Sequence, residues 1–122
     1  MRPSGFIERP DYRVDLLRRR NRVTVHAGAA LVATSERTLL VDEQGHGLVF
    51  YFPPEAIVAG TLVAAATPRS FCPYKGEADY FALAGGDGQA VAWCYATPYA
   101  EVAGIAGYIA FYQDRVRLTV GG

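Results

Sequence analysis

No stretch of this chain keeps an apolar period of 3.6 residues for longer than about two turns, and that ceiling limits the fold more than any other feature. What recurs instead is the short run of β-branched and aromatic residues, cut off by glycine, proline or a polar pair. Val23-Thr24-Val25-His26 alternates up to Ala27-Gly28, a natural hairpin tip, and Ala30-Leu31-Val32-Ala33 follows. Thr38-Leu39-Leu40-Val41 is broken by Gln44-Gly45-His46-Gly47, and Leu48-Val49-Phe50-Tyr51-Phe52 by Pro53-Pro54. Tyr12 to Leu17 reads as a first strand. Thr61 to Ala66 is rich in alanine, so helix and strand are hard to separate there; we read a strand. Glu77 to Leu83 and Ala90 to Tyr95 flank the turn Gly85-Gly86-Asp87-Gly88. Tyr108 to Tyr112 and Arg115 to Val120 read as a closing hairpin around Gln113-Asp114. Single helical turns are expected at Pro54–Ile57 and Glu101–Ala106.

This pattern predicts one all-β domain over residues 13–122: two small antiparallel sheets with one or two short helical turns. Residues 1–12, punctuated by Pro3, Gly5 and Pro10, read as an irregular lead-in.

Charge and cysteine content narrow the function. Twelve basic and twelve acidic side chains leave no net charge, which argues against a nucleic-acid partner held by overall charge. Arg18-Arg19-Arg20-Asn21-Arg22 is the local exception, and reads as a solvated turn or a phosphate contact; it holds too few cations for a footprint. No apolar run reaches the roughly 18 residues of a membrane span, and no signal-peptide core is visible. The expectation is a cytoplasmic protein with no membrane partner, as a monomer or a homodimer. Cys72 and Cys94 make no disulfide framework. Two cysteines and two histidines lack any metal-ligand spacing, so no metal and no cofactor is predicted.

The chemistry is concentrated in Phe71-Cys72-Pro73-Tyr74-Lys75-Gly76-Glu77-Ala78-Asp79-Tyr80. This decapeptide holds a thiol, an amine, two carboxylates and two phenols, together with a proline and a glycine that shape a turn. Lys75 is the only lysine, against eleven arginines. It reads as a loop residue paired with a carboxylate, as a contact for an anionic ligand group, or as a reactive amine. Cys72 is a small buried hydrophobe or, near that cation, a reactive thiol. Glu77 and Asp79 share a strand face. If Phe81 and Leu83 enter the core, the two carboxylates start on the inward side, at a rim. There they can run acid–base chemistry, cap the loop amides or sit solvated.

Three blocks carry a family likeness: Val49-Phe50-Tyr51-Phe52-Pro53-Pro54-Glu55, then Phe71 through Phe81, then Ala92-Trp93-Cys94-Tyr95 running through Pro98 to Ile105-Ala106-Gly107-Tyr108-Ile109-Ala110-Phe111-Tyr112. Together they resemble the family called domain of unknown function 427, over nearly the whole chain after residue 10. The resemblance implies a β-tent, in which two sheets lean together. Better-known relatives of that fold hold a structural zinc between two Cys-x-x-Cys knuckles, and some bind small ligands between the sheets. Here Cys72 and Cys94 stand alone. The family is also labelled nucleotidyltransferase-like. Such chemistry needs an Asp-x-Asp on a strand end and a Gly-Ser phosphate turn; the chain has Glu77-x-Asp79 and no Gly-Ser pair.

Two functions follow as expectations. One is a small-molecule binding domain or small enzyme whose pocket gathers Tyr51, Cys72, Lys75, Glu77, Tyr80, Trp93 and Tyr108, with Lys75, Glu77 and Cys72 as the catalytic candidates. Lys75 would hold an anionic or carbonyl group, with Glu77 orienting it or moving a proton. The other is a structural or interaction domain in which the same cluster is a buried hydrogen-bonded network.

Overall fold

The computed structural model describes residues 2–121. Among these residues eleven strands run in chain order: β1 Val14–Arg18, β2 Val23–Ala27, β3 Ala30–Ser35, β4 Leu39–Glu43, β5 Leu48–Phe52, β6 Leu62–Ala64, β7 Ser70–Cys72, β8 Gly76–Leu83, β9 Ala90–Cys94, β10 Ile109–Phe111 and β11 Arg117–Val120. The only helical pieces among the described residues are 3-10 turns at Gly5–Ile7, Pro54–Ala56 and Ala100–Ile105. The fold is all-β, in two antiparallel sheets. The larger has eight strands in the order β1-β4-β5-β10-β9-β8-β6, with β7 added on β8; the smaller has the order β11-β2-β3.

Both faces of the large sheet are covered along its centre, which explains why β5, β9 and β10 read as continuous apolar runs. In β5, Phe50 and Phe52 turn toward one core while Val49 and Tyr51 turn toward the other. In β10, Ile109 and Phe111 divide from Ala110 in the same way. The first core lies against the small sheet, where Val23, Val25 and Val32 meet Phe52 and Phe111. The two phenylalanine rings pack edge to face, with centroids 5.6 Å apart. Each such buried side chain contributes about 1.5–3 kcal/mol through removal from water. The second core lies on the opposite face. It is capped by Val102 and Ile105 of the Ala100–Ile105 turn, with Phe6, Val14 and Leu16 packed around them.

The closing hairpin expected at Tyr108–Val120 does not form. Ile109 and Ala110 pair with Phe52 and Tyr51 on one side and with Cys94 and Trp93 on the other, so β10 is an inner strand of the large sheet. Arg117–Val120 instead pairs with β2 in the small sheet. The Gln113-Asp114 turn is a corner where the chain changes sheets. Phe111 before it and Leu118 after it reach the same first core, so one hydrophobic demand is met from two layers. The short strand β7 and the exact register of β1 were also invisible to pattern reading.

The lead-in is tied down. The Gly5 N–H donates to the Pro73 carbonyl at 2.8 Å, and the Phe6 ring meets the Tyr74 ring edge to face at 5.1 Å.

Candidate ligand site

Strand β4 alternates Leu39, Val41 and Glu43 onto the second face, and all three are buried. Two leucine/valine positions therefore carry a carboxylate inward with them at the strand end. The turn between β7 and β8 supplies its partner. The Lys75 N–H donates to the Cys72 carbonyl at 3.3 Å and the Tyr99 N–H to the Lys75 carbonyl at 3.3 Å. Gly76 follows at φ 110°, a backbone setting that L side chains rarely adopt. This turn directs Lys75 inward, where it is 6% exposed. Its Nζ donates to Glu43 Oε1. The other carboxylate oxygen, Oε2, accepts from the Tyr12 hydroxyl at 2.6 Å. Tyr12 is held in turn by stacking on Tyr74, with centroids 3.7 Å apart and planes 7° from parallel. The largely exposed His46 places Nε2 3.6 Å from the same Oε2.

Burial alone would raise the pKa of Glu43, but the Lys75 ammonium and the Tyr12 hydroxyl outweigh it and hold the carboxyl below its ordinary value. Burial, and then the Glu43 charge, push Tyr12 up to about 12. Tyr51 and Tyr95 are raised still further, in both cases mainly by burial. The wall therefore consists of an ionised carboxylate and neutral phenols.

Beside this pair is a hollow of about 620 Å³. Lys75, Glu43, Tyr12, Cys72, Tyr51 and Trp93 all border it, as do Tyr80 and Tyr95. The Trp93 indole N–H donates to the Tyr51 hydroxyl at 3.2 Å, which leaves the Tyr51 proton free to donate elsewhere. Trp93 also leans on Tyr112, with ring centroids 4.7 Å apart. The Tyr80 hydroxyl shares a hydrogen with Ser70 Oγ at 2.6 Å.

Five of the seven residues expected to line a site thus come together: Tyr51, Cys72, Lys75, Tyr80 and Trp93. Glu77 and Tyr108 do not. On β8 it is Ala78 and Tyr80 that face the second core. Glu77 and Asp79 point the other way, along the face that Phe81 and Leu83 bury against the first core. Phe81 and Leu83 do enter a core, but the sheet has two covered faces and theirs is not the one that borders the hollow. Glu77 and Asp79 pair outside with Arg69, at 3.5 and 2.6 Å. Tyr108 borders a separate, smaller cleft with Arg18 and Pro53. Glu43, not Glu77, orients the lysine. Its signal is present in the sequence, since Leu39, Val41 and Glu43 keep a period of two; β4 runs two residues past the apolar run that ends at Val41.

Both cysteines are free thiols, Cys94 buried and Cys72 partly so. Burial pushes the Cys94 thiol up. Among the described residues, no three His, Cys, Asp or Glu side chains gather as a metal ion would require. No helix among them is long and apolar enough to cross a membrane.

No curated protein matches the chain. A family model does match, over residues 15–122. That span takes in all three sequence blocks, every strand but the first residue of β1, and the Lys75–Glu43 pair, so the chain belongs to the family described as domain of unknown function (DUF427).

Proposed function

We propose that this domain binds a small molecule in the hollow beside Lys75, with an enzymatic role open to it through the same groups. The observation that carries the reading is that the only lysine of the chain is buried in the wall of a 620 Å³ space bordered by phenol and indole rings. Hollows of this size with a few convergent polar groups are where ligands are commonly held. Lys75 has three ammonium donors, and Glu43 takes one. The pair is neutral overall. It therefore favours a carbonyl, an amide or a single carboxylate over a multiply charged group, with the aromatic rings covering the ligand's flat or apolar body. Cys72 borders the same space, within reach of a bound electrophile.

A second reading has its own support. Lys75 and Glu43 are almost sealed from solvent and satisfy each other, as a network that merely locks the turn to β4 would. Thermal-shift screening against carboxylates, amides and aldehydes, wild type beside Lys75→Met, separates the two. Ligand binding to the native state raises the melting temperature. A shift that is present in wild type and lost in Lys75→Met supports the binding site. A shift that survives unchanged removes Lys75 from it. The absence of any shift, with stability restored in Lys75→Met/Glu43→Gln, favours the structural network.

A further inference from the structure

The arginine run at the end of β1 is not spent on the hollow. Arg18, Arg19 and Arg20 meet Arg37 around a second cleft of about 340 Å³, which shares no bordering residue with the first. Two distant segments are joined to make it: the Arg19 N–H donates to the Thr38 carbonyl at 2.9 Å. The Arg37 N–H donates to Ser35 Oγ at 2.9 Å and fixes the turn before it. Among the described residues, Arg18, Arg20 and Arg37 have no carboxylate within ion-pair distance, and the Arg19 guanidinium bonds Asn21 instead, at 3.0 Å. Two acids also border the cleft, Glu36 and Glu55. Glu36 also stands 4.0 Å from Arg22. The lining thus carries a surplus of two positive charges in a chain that is neutral overall. At the cleft, Thr38 is 1% exposed and, among the described residues, its Oγ1 has no hydrogen-bond partner. Buried Pro53 and half-buried Tyr108 add a flat apolar wall.

We infer that this cleft is a second binding site, for a small molecule carrying a phosphate or diphosphate group. Guanidinium forks match phosphate oxygens two at a time, and forks without carboxylate partners are free to do so. A surplus of two charges matches a phosphate dianion. A polymer is the weaker fit: four guanidiniums in one cleft of a neutral chain make no extended track. The cleft needs no group from the Lys75 hollow.

Calorimetric titration of the intact chain with pyrophosphate in low salt tests it. The expected result is saturable binding at one site, weakening as salt is raised because the cleft is open to solvent. Arg18→Gln/Arg37→Gln weakens it tenfold or more. Arg117→Gln, on β11 and outside the cleft, leaves it unchanged. These arginines are exposed, so the unliganded melting temperature of the double variant stays at the wild-type value. No saturable binding in low salt, or equal binding by the double variant, overturns the inference. So does a single-stranded oligonucleotide that binds more tightly than pyrophosphate and loses affinity in the same double variant, since that describes a nucleic-acid surface.

Discussion

Glu43 and Lys75 stand 32 residues apart in sequence, yet their side chains form an ion pair that is about nine-tenths shielded from solvent. It ties the end of β4 to the turn between β7 and β8, two segments with no backbone pairing between them. Removing one member leaves the other charged and buried, which costs about 3–5 kcal/mol, whereas replacing both leaves no orphaned charge. Lys75→Met and Glu43→Gln are each expected to lower the urea midpoint strongly, and the double variant to regain much of the loss. Losses that simply add in the double variant would show that the two groups do not act as a pair.

The same pair sets the acid response. The folded-state pKa of Glu43 lies below its ordinary value of 4.5, burial notwithstanding, because Lys75 and Tyr12 favour the charged form. The folded chain then binds fewer protons than the unfolded chain in the window below 4.5. Its contribution to stability is full above that value and is lost as pH falls through the depressed one. Unfolding free energy measured against pH is expected to drop on this limb in wild type and to be flatter in Glu43→Gln. Identical acid limbs would count against the depressed carboxyl.

At the alkaline end the sign reverses. Burial, followed by the charge of Glu43, raises Tyr12 to about 12. Between the ordinary value of 10 and that value, the unfolded chain loses a proton that the folded chain keeps, so stability declines as pH rises. Tyr51 and Tyr95 act in the same direction. Tyr12→Phe is expected to remove part of the alkaline loss, and the share of wild-type phenolate absorbance due to Tyr12, Tyr51 and Tyr95 to appear late, with unfolding. Early ionisation of all the tyrosines near pH 10 would contradict the buried phenols.

Much of this was legible in the residues. Val23, Val25, Val49 and Phe52 fall where period-two patterning and proline stops place strands, and the density of reactive side chains around Lys75 points to the candidate site. What escaped was topology. Nothing local in Tyr108–Val120 says that Phe111 and Leu118 serve one core from different sheets, because a corner and a hairpin share the same turn residues. Nothing local says that β8 is covered on both faces, and that alone decides whether Glu77 or Tyr80 looks into the hollow. Glu43 was readable from Leu39 and Val41; its partner was not, since a 32-residue separation carries no sequence signal.

Glu77 provides the sharpest contrast. Its side chain is 55% exposed and sits 3.5 Å from Arg69. Exposed pairs of this kind contribute about 0–1 kcal/mol. Glu77→Gln is expected to shift stability by no more than about 0.5 kcal/mol and to leave ligand-induced thermal shifts at the wild-type level. A variant that abolishes those shifts would return Glu77 to the site from which its geometry excludes it.

The lead-in offers a test of how the site is held. A Cβ at Gly5 would lie 2.9 Å from Tyr74 Cε1 and 3.1 Å from the Pro73 carbonyl oxygen. The ring has little freedom to move, because Tyr12 stacks on its face and Phe6 meets it edge-on. Gly5→Ala must therefore push the lead-in off the turn or break the stack, an overpacking cost of roughly 1–3 kcal/mol. Either response disturbs Tyr12, whose hydroxyl holds Glu43. Limited proteolysis is expected to cut Gly5→Ala near the lead-in faster than wild type. The alkaline limb that Tyr12 contributes is expected to shrink as it does in Tyr12→Phe. Wild-type proteolysis with an unchanged limb would mean that the turn carrying Lys75 is held without the lead-in, by its own Cys72 and Tyr99 hydrogen bonds.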